Sequence, residues 1–111
     1  MIDNCYDALT TEMLLFGFFA TEAWLTANKD TAHKFAAAIK QAAVWANANR
    51  KASALMLTKF TSLAPTVANT MGRASYATTL EPSMIEPAIK YMVKYGFLPK
   101  SIDASQLIWR P

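Results

Sequence analysis

Residues 13 to 19, Met-Leu-Leu-Phe-Gly-Phe-Phe, form an unbroken apolar run of strand length rich in aromatics, and the pattern predicts a buried strand or crossing segment there. Gly17 in its middle would let a backbone or a ligand approach closely. Beyond this run the apolar period becomes helical. Thr21 is placed to cap a short helix, with Glu22 near its positive end, Ala23, Trp24 and Leu25 following, and Asn28 as its stop. Asp30 is expected to cap the next helix. Its apolar positions Phe35, Ala38, Ile39, Ala42, Trp45 and Ala46 recur on one face as far as about Asn49, with Lys34, Lys40 and Gln41 off that face.

A shorter helix is expected from about Arg50 to Phe60, with Ala52, Leu55, Met56 and Phe60 inward. Pro65 breaks the chain and pre-sets a two-turn helix carrying Val67 and Met71, which Gly72 would close. Residues 73 to 79 read as an extended segment centred on Tyr76. Glu81 and Pro82 start a helix with Ile85, Ala88, Ile89 and Met92 inward, Pro87 as a kink and Gly96 as its end. Asp103 caps a turn leading to Leu107, Ile108 and Trp109. The expected fold is mainly α with one or two short strands, in a single domain over residues 1–111.

The chain has 111 residues, 53% of them hydrophobic and only 17% charged, against about 25% charged in an ordinary soluble domain. This excludes disorder and implies that some apolar surface meets another body, so a homo-oligomer through exposed apolar surface is expected. No run approaches the ~20 apolar residues of a membrane span, and the acidic first 12 residues do not resemble an export signal.

The net charge is +3, unevenly spread: residues 29 to 73 hold seven bases against Asp30 alone, whereas residues 1 to 28 hold four acids and no base. The bases stand singly apart from Arg50 and Lys51, which favours a solvated helical face over nucleic-acid binding. Cys5 and His33 are each the sole residue of their kind, which removes disulfides and multi-cysteine or two-histidine metal sites. No glycine-rich phosphate loop and no close carboxylate pair occurs, Glu81 and Glu86 being five apart. The expectation is therefore a non-enzyme without metal or cofactor. Thr21, a hydroxyl at a helix start, suits an anion. Tyr76 in its extended stretch is placed to reach a ligand, and Trp24, Trp45 and Trp109 read as core or interface anchors.

The succession Thr21-Glu22-Ala23-Trp24-Leu25, Asn28-Lys29-Asp30, Trp45-Ala46-Asn47-Ala48-Asn49, Leu80-Glu81-Pro82, Lys94-Tyr95-Gly96-Phe97-Leu98 and Ser101-Ile102-Asp103-Ala104 resembles the C-terminal part of periplasmic solute-binding proteins of ABC importers. These belong to the nitrate, sulfonate and taurine group that includes the thiamine-precursor binders. The resemblance spans roughly residues 13 to 110 and implies the last part of a two-lobed α/β fold, the first lobe being absent. It implies capture of a small anionic or heterocyclic solute, delivery to an ABC permease, a periplasmic or lipoprotein-anchored location, and Phe16, Gly17 and Phe18 lining the ligand site. The competing reading is a stand-alone helical interaction domain that hides an apolar face against a partner protein. An enzyme related to the thiamine-precursor synthases, which share that fold, would need histidines from the missing lobe.

Overall fold

A computed structural model describes residues 9–110. Its regular elements are helices: α1 (Glu22–Ala27), α2 (Lys29–Ala48), α3 (Arg50–Leu57), α4 (Pro65–Thr70), α5 (Pro82–Lys94) and a 3-10 turn at Ala104–Leu107. Among the described residues there is no strand. The mainly α expectation holds and the short strands do not. Cys5 and the acids Asp3 and Asp7 lie outside the described residues.

Two compact units divide the chain, one of residues 28–79 and one joining the residues up to Ala27 with those from Leu80 onward. In the first, α2 packs on α3 and α3 on α4. The single residue Asn49 separates α2 from α3. Its amide N–H donates to the Trp45 carbonyl at 2.8 Å and its side-chain Nδ2 to the same oxygen at 2.9 Å, closing the end of α2 twice over. Neither α2 nor α3 has a side-chain N-cap: α2 starts at Lys29 after Asn28, so Asp30 sits in the first turn rather than at the cap. Pro65 opens α4 at its first position, where a missing N–H costs nothing. The core of this unit consists of small residues: Ala32, Ala43, Ser53, Ala54 and Ala68 are buried.

That core corrects the expected inward faces. Phe35, Ala38, Ile39, Ala42 and Trp45 of α2 are exposed, as are Ala52, Leu55, Met56 and Phe60 after it and Val67 of α4. The tight α2–α3 junction selects which side of α2 meets a neighbour, and small side chains there let the helices approach. Periodicity marks the apolar face of a helix but not how far it is covered: Ala32 and Ala43, on the side of Ile39, are buried, whereas the larger side chains stay part-exposed. Gly72 does not close α4 either, because Met71 already turns extended at φ −67°, ψ 148°, and Gly72 has no positive φ.

In the second unit Thr21 caps α1 as expected: its Oγ1 accepts from the Trp24 N–H at 3.3 Å and its carbonyl from the Leu25 N–H at 3.0 Å. Helix α5 begins at Pro82, runs through Pro87 and buries Ile89, and it packs on the 3-10 turn, whose Ala104 is buried. Gly96 adopts φ +77° just past the helix. This left-handed turn sends the Phe97 and Leu98 N–H groups back to the Met92 carbonyl at 2.8 and 3.1 Å. Asp103 caps the 3-10 turn through Oδ1, which accepts from the Ser105 N–H at 2.9 Å.

The apolar run 13 to 19 is neither strand nor buried. It is anchored by one backbone bond, from the Leu14 N–H to the Met84 carbonyl at 2.8 Å. Phe16 and Phe19 are 90% and 98% exposed. A strand exists only with a partner ladder, and one hydrogen bond does not make one.

Candidate functional site

The densest polar cluster lies in the unit of residues 28–79, where the end of α2, the start of α3 and the segment after α4 meet. Asn47 is in the last turn of α2. Its Nδ2 donates to the Tyr76 carbonyl at 2.7 Å and its Oδ1 accepts from the Tyr76 N–H at 3.1 Å. This ties the irregular segment after α4, which bends at 78–79, to the end of α2, since the side-chain amide offers both a donor and an acceptor to the backbone of Tyr76.

Arg73 closes the cluster from the other side. Its Nη1 donates to the Arg50 carbonyl at 2.8 Å, and its Nη2 donates to Ser53 Oγ at 3.0 Å and to the Tyr76 hydroxyl at 3.4 Å. Arg50 Nη2 reaches back to the Arg73 carbonyl at 3.4 Å. Ser53 is buried, and its hydroxyl proton lies between the carbonyls of Arg50 at 3.1 Å and Ala46 at 3.3 Å while its oxygen accepts from Arg73. Every polar group brought inside is thereby matched. Among the described residues no carboxylate forms an ion pair with Arg50 or Arg73. The ion pair Arg110–Glu81, at 3.7 Å, belongs to the other unit and is exposed.

The second feature is the set of large apolar side chains of α2 that remain part-exposed. Phe35 is 46% exposed and Trp45 44%, with Ile39 between them. Ala37, Lys40, Gln41, Val44 and Trp45 line an open, almost wholly apolar depression along the same helix.

The residues expected to hold a ligand are distributed as follows. Phe16, Gly17, Phe18 and Thr21 lie in the unit that contains α1 and α5, and Tyr76 in the unit that contains α2 to α4. Phe16 and Phe18 are exposed, and Thr21 spends its hydroxyl oxygen on the α1 cap. A methyl group at Gly17 would meet only the Leu14 side chain, at 3.5 Å, so no backbone approaches closely there. Tyr76 alone joins a polar cluster. Asn47, Arg50, Ser53 and Arg73 were not singled out by the sequence as site residues, because their partners lie 20 to 29 positions away. The one local signal was the adjacent pair Arg50-Lys51 in a chain whose bases otherwise stand alone.

Among the described residues no three His, Cys, Asp or Glu side chains come together as metal ligands, and no helix is long and apolar enough to cross a membrane. Comparison with family models, curated protein sequences and solved structures gives no match.

Proposed function

We propose that the chain is a helical protein–protein interaction module that completes its apolar core on a second polypeptide, in the first instance another copy of itself. One observation supports this reading above the others: large apolar side chains of α2 and α3 in one unit, Ile39, Val44, Trp45, Leu55 and Met56, remain 38–53% exposed. Covering side chains of this size stabilises by about 1.5–3 kcal/mol each when they start fully exposed, and by roughly half that here. A stable interface takes about 800 Å² per partner. Leu55 and Met56 of α3, each nearly half exposed, add apolar area in the same unit.

Sedimentation equilibrium over a wide concentration range tests the proposal. The expected result is a mass that rises with concentration toward a small closed oligomer. A single monomer mass throughout contradicts self-association. Solute capture in the manner of importer binding proteins rests on motif order alone and is the competing proposal. A thermal-shift panel of nitrate, taurine, alkanesulfonates and pyrimidines separates the two, since a solute that raises the melting temperature of the monomer favours capture.

A further inference from the structure

The Arg50–Arg73 cluster carries an inference that does not depend on self-association. We propose that Arg50, Arg73 and the Tyr76 hydroxyl form a binding site for a phosphomonoester, a tetrahedral oxyanion with close to two negative charges at neutral pH. Each arginine reaches the other's main chain, Arg73 Nη1 to the Arg50 carbonyl at 2.8 Å and Arg50 Nη2 to the Arg73 carbonyl at 3.4 Å, so both positive side chains lie where the start of α3 meets the segment after α4. No carboxylate among the described residues neutralises either, and Lys51 follows Arg50 directly in a unit with seven bases and one acid. Two like charges brought together favour an occupant that carries two opposite ones.

The donors are also prepared. Three bonds, to Arg50, Ser53 and Tyr76, hold the Arg73 guanidinium, so little side-chain freedom remains to be lost on binding. The Ser53 and Tyr76 bonds occupy both N–H groups of Arg73 Nη2, which leaves its Nε–H and one Nη1–H as separate donors, whereas Arg50, bonded once through Nη2, keeps a two-donor edge. The Tyr76 hydroxyl accepts from Arg73, so its own proton is free to donate. The Arg50 edge fits two phosphate oxygens at once, whereas a singly charged phosphodiester balances only half of the charge of the pair.

Calorimetric titration of the full chain at low salt and pH 7.5 with phenyl phosphate is the test, with dimethyl phosphate as the singly charged control. Saturable binding of the monoester, at least tenfold tighter than the diester, is expected. Arg50→Gln is the clean variant, because Arg73 bonds to the main-chain carbonyl of residue 50 and keeps all three contacts. It is expected to weaken binding about tenfold, and Tyr76→Phe a few-fold. O-phosphoserine and a short phosphoserine peptide identify the source: equal affinities assign a free phosphomonoester, and a tighter peptide a phosphorylated polypeptide. Equal binding of both phosphates, no saturable binding, or an Arg50→Gln variant that binds as the parent does would each overturn the proposal.

Discussion

The side-chain amide of Asn47 pairs with both main-chain polar groups of Tyr76, donating to its carbonyl at 2.7 Å and accepting from its N–H at 3.1 Å. One side chain at the end of α2 thus satisfies both main-chain polar groups of a residue in the irregular segment after α4. Asn47→Ala removes both bonds and is expected to destabilise the unit by about 1–2 kcal/mol, and Asn47→Asp, which loses only the donor, by a comparable amount. Urea denaturation measures the change, and amide exchange should rise first at Tyr76. An unchanged midpoint with unchanged exchange would show that the pairing contributes nothing.

The core of small residues leaves no room for growth. Ala68 is 0% exposed, so Ala68→Leu overpacks the contact between α3 and α4 and should cost about 1–3 kcal/mol. Phe19→Ser, at a side chain almost wholly in solvent, should stay within about 0.5 kcal/mol despite being the more drastic change in hydrophobicity. Thermal unfolding of the two variants side by side checks the order, and the reverse order would mean that residue 19 is buried and residue 68 is not.

The left-handed turn after α5 requires glycine. Gly96 stands at φ +77° with nothing within 4 Å of where a Cβ would sit, so the cost of a side chain there is conformational rather than steric with neighbours. Gly96→Ala is expected to lower stability by about 1–2 kcal/mol, read from the denaturation midpoint. A neutral outcome would place the residue outside the left-handed region.

The carboxyl of Asp103 is held below the usual carboxylate range by the Ser105 side chain and then by the Ser105 backbone amide. A depressed value in the folded chain means that the ionised form is favoured there. Its contribution is therefore complete above the ordinary carboxylate pKa and is lost as pH falls through the lower folded value. Acid titration followed by NMR should show the Ser105 amide shifting at a pH below that of an ordinary aspartate. In Asp103→Asn the amide oxygen still accepts from Ser105 and the titration should vanish. An ordinary midpoint in the parent chain would remove the cap.

Five helix ends were legible in the sequence because they are local, whereas the expected cap at Asp30 and close at Gly72 were not formed. Thr21, Pro65, Pro82, Gly96 and Asp103 each act on backbone groups a few residues away, and all five stand where their chemistry places them. What lay beyond the sequence depends on neighbours. Phe35 and Trp45 both stand at apolar positions of α2, but how far each is covered depends on the helices packed against it. The run 13–19 has strand composition but no ladder to join. In the candidate site Tyr76 was visible as an aromatic in an extended stretch, whereas its partners Asn47 and Arg73 belong to it only through folding.

The central claim, that the part-exposed apolar side chains of α2 form an interface, is tested most directly by the light-scattering mass of Phe35→Ser/Trp45→Ser beside the parent chain and the Phe19→Ser control at equal, high concentration. An oligomeric parent and control with a monomeric double variant that keeps its helical circular dichroism is the predicted result. A double variant that associates as the parent does, or a parent that is monomeric throughout, would contradict it.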